Sequence, residues 1–401
     1  MRLRVRAMAH GGEGIADAPD GRVVFVRGGV PGDVVDATLA KVKKRWARAD
    51  AVEVREPSPD RVEPTCPAAA AGAGCCDYSH IRPDAQVGFK RDILLGQLGA
   101  LSTHSGVLAG FDFDHLEVAQ LDPPTGWRTR VRLGIDSRGR AGMRRARSAD
   151  VVASSVCTQP APGLLDGIVG EDARAFAPGA ELVVVRDANG QRHVVQTHAA
   201  QRGRRVEAVQ RVLEGDGKVV ERVRGFDFVF PPTAFWQAHV RAPEAYSDTI
   251  ADWGRGEYAT PVGWDLYGGV GAFVPAISDA LGDGAVESVD YSDAAAAREQ
   301  QVTDAFNVRM HHGDVASTVS QLPKPGLVVL DPPRAGAGQD VVDAIADAAP
   351  QRVIHVGCDP ATFARDLAGF GNRGYAVTRL KLIDAFPNTH HFEVIASLER
   401  A

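Results

Sequence analysis

Residues 264–273 read Trp264-Asp265-Leu266-Tyr267-Gly268-Gly269-Val270-Gly271-Ala272-Phe273, a short apolar run followed by a turn with three glycines. Glycines after a strand let the backbone turn sharply and approach a ligand closely. An acidic residue about 20 positions further on can bind ribose hydroxyls in such folds, and Asp290 ends the next predicted strand. The stretch predicts a pocket for a nucleotide-like cofactor. A plain loop or a dinucleotide site are alternatives, because the full G-x-G-x-x-G pattern is absent.

Predicted strands and helices alternate around this turn, from Phe226 to the end of the chain. Short buried strands are expected at 264–266, 286–290, 327–330 and 353–356, with helices at 293–306 and 341–349. Such alternation predicts an α/β fold with a doubly wound, mainly parallel sheet and a ligand site at the carboxyl ends of its strands. Asp314, after a third strand, is a candidate acceptor for an adenine amino group.

Three potentially reactive side chains follow or lie on strands of this region: Asp331, Cys358 and Glu393. Asp331 precedes two prolines that stiffen the strand exit. Cys358 precedes an N-cap and first-turn pair for a helix, where a thiol tends to have a lowered pKa and the thiolate is the attacking species. A late strand at 391–395 places His391 and Glu393 on one face. The set predicts a nucleophile and a general base. The alternatives are a plain proline-rich strand exit at Asp331, a small buried side chain at Cys358 and an ion pair at Glu393.

The first half of the chain has mostly β-type patterning. Residues 1–56 contain short β-rich runs separated by glycine turns, which predicts a small barrel. A proline-containing linker at 56–60 leads to a cysteine-bearing loop at 66–80 and a helix at about 86–98. From 127 to about 225 the runs again indicate strands, with 182–185 and 193–195 expected to pair.

Composition describes a chain of ordinary soluble character. It has 401 residues, 44% hydrophobic residues and a formal net charge of −6. No apolar stretch is long enough for a signal peptide or a membrane span, so we expect a cytoplasmic protein with no membrane partner. Five cysteines without an export signal favour reduced thiols over disulfides, and the adjacent Cys75 and Cys76 are too close for an ordinary disulfide.

Two basic clusters qualify the negative net charge, because local positive potential is what attracts a phosphate backbone. The first surrounds Trp46 and comprises Lys41, Lys43, Lys44, Arg45 and Arg48. The second comprises Arg128, Arg130, Arg132, Arg138, Arg140, Arg144, Arg145 and Arg147. Both are candidate RNA contacts, the second being preferred, and either would otherwise be a solvated face.

The motifs together resemble those of the S-adenosylmethionine-dependent RNA 5-methyluridine methyltransferases. The shared stretches occur in the family's order: 265–271, Asp331-Pro332-Pro333-Arg334, Gly357-Cys358-Asp359-Pro360, and Phe386-Pro387 with Thr389, His391 and Glu393. The resemblance implies a Rossmann-like class I methyltransferase domain at 226–401. It also implies an N-terminal OB-type TRAM barrel at 1–56 and a central β domain with a cysteine cluster at 57–225. Residues from about 83 to 118 either belong to that domain or pack on the methyltransferase domain.

The resemblance also implies site residues and a reaction. Cys358 would add to uracil C6, Glu393 would remove the C5 proton, and Asp331 would hydrogen-bond the uracil or hold the site together. The implied cofactor-binding residues are Gln237, Asp265, Tyr267, Gly269, Gly271, Asp290, Asp314 and Asp331. The target uridine would be flipped out of its stack.

Family members of the iron–sulfur type hold a [4Fe–4S] cluster with four cysteines, which implies Cys66, Cys75, Cys76 and Cys157 as ligands here. The spacing C-x8-C-C differs from the family's common C-x5-C-G-G-C, and zinc or a vacant site is the alternative. The substrate is implied to be rRNA or tRNA, with 23S rRNA slightly favoured, and the protein to be a monomer. Alternative functions are an RNA 5-methylcytidine methyltransferase and a catalytically silent RNA-binding protein of the same fold.

Overall fold

The computed structural model describes residues 1–99, 101, 106–202, 205–292 and 301–400, with the side chains of 200–202 and 205–208 excepted. Its elements form a barrel, a central sheet and a large α/β sheet. Within these ranges, no helix combines the length and the apolar character needed to cross a membrane.

The N-terminal barrel is closed and has five strands in the order β1-β2-β3-β5-β4. The strands are β1 (Arg2–Met8), β2 (Glu13–Asp17), β3 (Val23–Arg27), β4 (Val34–Val42) and β5 (Trp46–Glu56). Side chains along β1 alternate between exposed and buried positions, as expected of a strand with one face on a core. The predicted barrel is confirmed.

The central region contains a six-stranded sheet in the order β12-β11-β10-β7-β8-β9. Its strands are β7 (Arg130–Ile135), β8 (Ala141–Arg144), β9 (Val151–Val152), β10 (Glu181–Arg186), β11 (Arg192–Arg202) and β12 (Arg205–Glu214). The hairpin of β13 (Val219–Val223) and β14 (Phe226–Phe230) follows. The short helix α1 (Pro67–Ala70) carries the first cysteine at its N-cap, Cys66.

The segment before this sheet packs on the α/β body. Helix α2 (Pro83–Gly99) contributes Ile93, Leu94 and Leu98 to the main hydrophobic core. Two 3-10 turns follow, Gly106–Leu108 and Phe113–His115, and then β6 (Glu117–Gln120) pairs in parallel with a strand near the C-terminus. Helix α2 and strand β6 thus contact the C-terminal body, although they precede the central sheet in the chain.

The α/β body is built on an eight-stranded sheet in the order β17-β16-β15-β18-β19-β21-β20-β6. Its further strands are β15 (Val262–Leu266), β16 (Ala285–Asp290), β17 (Val308–His312), β18 (Leu327–Leu330), β19 (Arg352–Gly357), β20 (Tyr375–Asp384) and β21 (Glu393–Arg400). The helices are α3 (Ala242–Gly254), α4 (Val274–Ala280), α5 (Gln301–Ala305), α6 (Val315–Thr318), α7 (Gln339–Ala348) and α8 (Pro360–Asn372), with a 3-10 turn at Val319–Gln321. Strands β15 to β19 run parallel and β21 is antiparallel to its neighbours. This confirms the predicted α/β class and mainly parallel sheet.

One predicted strand begins later than expected, and part of one predicted helix lies outside the described residues. The predicted strand at 391–395 begins only at Glu393. Asn388 has a positive φ of 64°, and the Thr389 hydroxyl accepts a hydrogen bond from His391 N–H, so the preceding segment is a turn. Of the helix predicted at 293–306, α5 is present, while 293–300 lie outside the described residues.

Candidate active site

A cavity of about 840 Å³ opens at the carboxyl ends of β15, β16, β18 and β19. Ligands of doubly wound sheets bind at this edge. Seven of the residues predicted from the sequence line it: Gln237, Tyr267, Gly269, Asp290, Asp331, Cys358 and Glu393. The chain brings them together from positions more than 150 residues apart, which makes this cavity the candidate active site.

The glycine turn after β15 forms one wall of the cavity. A Cβ at Gly268 would collide with the carboxylate of Asp265 and the hydroxyl of Ser288, so the turn can pack this closely only with glycine. Tyr267 has a φ of 62°, a conformation that costs about 1–3 kcal/mol for a side chain of this size. Gly269 N–H donates to Asp290 Oδ2 at 3.0 Å, which ties the turn to the end of β16.

Three predicted cofactor residues are not among the described residues that line the cavity. Asp265 lies beneath the turn, where Ser288 Oγ donates to its Oδ2 at 2.9 Å. Burial raises the pKa of Asp265 to about 7, with Asp290 adding to the effect. Gly271 faces Val274 and Met310, and the exposed Asp314 caps α6 by accepting from Ser317 N–H at 3.0 Å.

Asp331 lies at the end of β18 and faces Gln237, whose Nε2 is 3.5 Å from Asp331 Oδ2. Burial raises the pKa of Asp331 to about 7, and Asp265 adds to the effect. The amide and the carboxyl group therefore present paired hydrogen-bonding groups to a ligand in the cavity.

Cys358 follows β19 and immediately precedes Asp359, the N-cap of α8. Burial, with Glu393 and Asp331 adding to it, raises the pKa of the Cys358 thiol to about 12. The lowered pKa expected from the helix N-terminus is therefore wrong, because burial and the two carboxyl groups outweigh it.

Glu393 begins β21 and is 4% exposed. Burial, and then Asp331, raise the pKa of Glu393 well above its usual value. Its Oε2 has no hydrogen-bond partner among the described residues, and neither has the hydroxyl of the buried Tyr246. A buried, unpartnered carboxyl with a raised pKa is a strong base once it has lost its proton.

Sequence reasoning did not single out two aromatic side chains at the cavity wall, Phe235 and Tyr291. They are 78% and 72% exposed although both are large and apolar or half-apolar. Phe235 lies two positions before Gln237 and Tyr291 directly follows Asp290, so the available signal was an aromatic residue close in sequence to a predicted site residue. Exposed aromatic rings of this kind can stack on bases.

The four remaining cysteines converge on one point. The Sγ atoms of Cys66, Cys75, Cys76 and Cys157 all lie within 4.8 Å of one another. The Cys66 and Cys75 sulfurs are 4.0 Å apart, and those of Cys76 and Cys157 are 3.5 Å apart. Four thiolates around one tetrahedral ion at about 2.3 Å would lie about 3.8 Å apart. A [4Fe–4S] cube places four irons between its thiolates and needs wider spacing, so this arrangement fits a single ion better.

Arg128 connects the cysteine site with the cavity that it lines. Its Nε donates to Gln159 Oε1 at 3.0 Å, and Gln159 Nε2 donates to the Cys75 carbonyl at 2.6 Å. The guanidinium also stacks on Trp127, with 4.6 Å from its central carbon to the ring. A chain of two hydrogen bonds thus links the backbone of Cys75 to a cation in the cavity wall.

The two basic clusters differ in the ion pairs that their side chains form. In the second, Arg132 and Arg144 both pair with Glu181, while Arg130, Arg140 and Arg147 pair with other acids. In the first, no described carboxylate lies within 4.0 Å of Lys43, Lys44 or Arg45, all of which are exposed. The exposed Arg138 and Arg145 of the second cluster likewise have no described carboxylate within 4.0 Å, so both clusters keep free cations and the preference for the second stays a prediction.

The parallel sheet, its glycine turn and the cavity at its carboxyl edge define a class I methyltransferase domain, here behind a TRAM barrel. Family models agree: residues 300–401 match the model described as tRNA (Uracil-5-)-methyltransferase, and residues 1–52 match the TRAM domain.

Similar proteins cover the full chain. An uncharacterized RNA methyltransferase of Corynebacterium glutamicum is 49% identical over 405 residues, which is 99% of this chain and 96% of that protein. An uncharacterized RNA methyltransferase of Streptomyces avermitilis is 35% identical over 430 residues, 100% of this chain and 98% of that one. The crystal structure of Pyrococcus abyssi tRNA (uracil-54, C5)-methyltransferase with S-adenosyl-L-homocysteine shares the fold, with a TM-score of 0.73, 20% identity and 99% coverage of both chains.

The chain belongs to the S-adenosylmethionine-dependent RNA (uracil-C5-)-methyltransferase family. The predicted family, fold class and enzyme class are confirmed. The assignment of individual residues to catalysis and cofactor binding stays a prediction.

Proposed function

We propose that this protein methylates C5 of one uridine in a structured RNA through a covalent adduct between Cys358 and uracil C6. The observation that carries the proposal is the convergence of Cys358, Asp331 and Glu393 on the cavity that the glycine turn also lines. A nucleophile, a hydrogen-bonding group and a base around one cavity are what this reaction requires.

The proposed reaction begins when Cys358 gives its proton to solvent water and the thiolate forms a bond to C6. The electrons of the C5–C6 double bond then pass to C5 and the O4 carbonyl as an enolate, which makes C5 nucleophilic. S-adenosylmethionine, when bound, supplies a methyl group on a positively charged sulfur. C5 takes that methyl group while the bond between the methyl carbon and the sulfur breaks and leaves a neutral thioether, and Glu393, as a carboxylate, then accepts the C5 proton. The C5–C6 double bond reforms and the Cys358–C6 bond breaks.

The raised pKa of Glu393 suits its proposed role, because a buried carboxylate binds the C5 proton more strongly than an exposed one. Asp331 and Gln237 would hold the uracil, and Asp290, with the turn at Tyr267 and Gly269, would hold the cofactor. The contact of Gly269 N–H with Asp290 supports this by fixing the acidic group at the strand end. Asp265, Gly271 and Asp314 would act from outside the cavity lining, by shaping the turn and the strand ends.

We infer that the β4–β5 turn of the barrel binds the phosphate backbone of the RNA. We also infer that the rings of Phe235 and Tyr291 stack on bases that are displaced from the RNA helix. The target uridine must leave its stack, because C6 is otherwise out of reach of a thiol in a cavity. Whether that uridine belongs to 23S rRNA, the slightly favoured substrate, or to tRNA is decided by offering transcripts of both.

We further propose that the four clustered cysteines hold a metal centre. The family resemblance implies a [4Fe–4S] cluster, whereas the sulfur spacing favours a single tetrahedral ion such as zinc. Either group would brace the loop at 66–80, and no step of the methyl transfer passes through it.

The test is a covalent trap. RNA in which 5-fluorouridine replaces uridine lacks the C5 proton, so the adduct forms and cannot be released. We expect a mass increase of the wild-type protein equal to the RNA and one methyl group, and none with Cys358→Ala. Glu393→Gln should accumulate the adduct on ordinary uridine RNA. Failure of the wild type to form any adduct would refute the mechanism and favour a silent RNA-binding protein, and 5-methylcytidine in the product would favour the cytidine alternative.

A further inference from the structure

The turn between β1 and β2 of the barrel reaches the two loops that carry Cys358 and Glu393. His10 in this turn has its Nε2 atom 3.0 Å from Oδ2 of Asp359, the residue after Cys358. Both side chains are about one quarter exposed, so water screens this contact only in part. The barrel thus places a side chain in contact with the residue that follows the proposed nucleophile.

The same histidine contacts the residue before Glu393. The rings of His10 and Phe392 meet edge to face, with centroids 6.5 Å apart and an interplanar angle of 84°. His10 also meets His390 edge to face at 5.7 Å. One imidazole is therefore in contact with the neighbours of both the proposed nucleophile and the proposed base.

The direction of the hydrogen bond follows from what else Asp359 binds. Its Oδ1 accepts from Ala361 N–H at 3.1 Å and from Thr362 N–H at 3.0 Å, which caps α8. Burial alone would raise the pKa of Asp359, but the Thr362 N–H and His10 hold it below its usual value. The carboxylate is thus an acceptor, and His10 must donate from Nε2.

Contacts with other parts of the chain fix the position of the β1–β2 turn. A Cβ at Gly12 would collide with the carboxylate of Asp77, which accepts from His390 N–H at 3.1 Å. Met8, at the end of β1, is buried in the main core of the α/β body. Glu13 pairs with Arg147 of the central region at 2.8 Å. These contacts hold the barrel in place against the active-site loops.

We propose that His10 is a positioning residue: it fixes the position of the Cys358–Asp359 segment relative to the Phe392–Glu393 segment. The inference rests on the proposed function for the roles of Cys358 and Glu393. The barrel then contributes to turnover through His10 and to RNA affinity through its β4–β5 turn, and the two contributions are separable.

The test compares His10→Ala, His10→Asn and His10→Gln in the full chain. The Gln Nε2 atom can reach the position of the His Nε2 donor, whereas the shorter Asn cannot. We expect His10→Ala and His10→Asn to lower kcat about 10- to 100-fold with KM for RNA unchanged, because small misplacements of reacting groups cost rates of this order. His10→Gln should restore most of kcat. The variant Lys43→Ala/Lys44→Ala should instead raise KM for RNA.

A second readout needs no RNA. Alkylation of Cys358 by iodoacetamide, followed by peptide mass spectrometry, should be faster in His10→Ala and His10→Asn than in wild type and His10→Gln, because α8 loses a restraint at its first turn. If wild type transfers no methyl group, the proposed function fails while alkylation still tests His10. A raised KM with unchanged kcat would make His10 an RNA contact and overturn the proposal, as would equal kcat and equal alkylation in all variants. Should His10→Ala fail to fold, the comparison of Asn with Gln decides.

Discussion

Lys90 and Asp384 form an ion pair with no exposed surface on either side chain, and its removal is the sharpest stability test that the structure offers. Lys90 Nζ, on α2, lies 2.6 Å from Asp384 Oδ1 at the end of β20 and donates to the Phe386 carbonyl at 3.1 Å. Burial lowers the pKa of Lys90, and Asp384 opposes that effect. The pair ties the segment before the central sheet to the loop that leads to Glu393.

The expected effect of Lys90→Met follows from what remains behind. The Asp384 carboxylate keeps only the Phe386 N–H, at 3.1 Å, as a described partner. Breaking a buried pair by removing one partner costs about 3–5 kcal/mol, because the other charge stays buried. For a cooperative unit of 150–250 residues, this lowers Tm by about 6–20 °C.

The assay is thermal and denaturant unfolding of a double-mutant cycle. Lys90→Met/Asp384→Leu removes both charges and should recover most of the loss, since apolar replacements of buried pairs are often neutral. Lys381→Met, which breaks a partly exposed pair with Glu117 at 3.5 Å, is the matched control and should cost at most about 1 kcal/mol. If Lys90→Met costs no more than this control, or if the effects of the single variants simply add, the reasoning is refuted. Methyl transfer should also fall in Lys90→Met, because the Phe386 carbonyl loses one of its three donors and keeps only the hydroxyl and the N–H of Thr389.

Three further predictions concern the site, the metal and the RNA. The alkylation rate of Cys358 should rise about tenfold per pH unit from pH 7 to pH 9, because its raised pKa of about 12 leaves the thiolate fraction small throughout; a plateau near pH 8 would contradict this. Metal analysis should give about one zinc per chain, lost in Cys157→Ala, whereas about four irons and a brown colour would restore the [4Fe–4S] interpretation. RNA binding should weaken with salt, and Lys43→Ala/Lys44→Ala should reduce the slope of log K against log salt by about 2; an unchanged slope would exclude the β4–β5 turn as a phosphate contact.

The α/β sheet was predictable because its signals are local. The buried runs at 327–330 and 353–356 correspond to β18 and β19, and the glycine turn after β15 marks the edge where the cavity opens. Strand β6 was not predictable, since its residues 117–120 pair with β20 more than 250 positions later and carry no strong β pattern of their own. Such non-local pairing leaves no trace in a short window of sequence.

Seven residues that line the candidate site were predicted from the sequence, whereas its electrostatics were not predictable. Cys358 could be identified from the strand before it and the helix after it. Its raised pKa comes from burial and from Glu393 and Asp331, which only the folded chain brings near. The pairing within the second arginine cluster was unpredictable for the same reason: Glu181, which pairs with Arg132 and Arg144, lies 37 residues beyond the nearer of them.

The raised pKa values of Asp331, Cys358 and Glu393 have one physical origin and one consequence. Each group is held in a place where burial disfavours its charged form, and Arg334 in the cavity wall lowers the pKa of Cys358 and of Glu393 too little to reverse this. A ligand that brings a positive charge into the cavity stabilises the thiolate and both carboxylates at once, whereas a neutral ligand of the same shape does not. The site is therefore expected to become reactive when a sulfonium is bound and to lose that reactivity when its neutral thioether product remains. If Cys358 and Glu393 act as proposed, this linkage couples the ionisation of both groups to the presence of a methyl group that can be transferred.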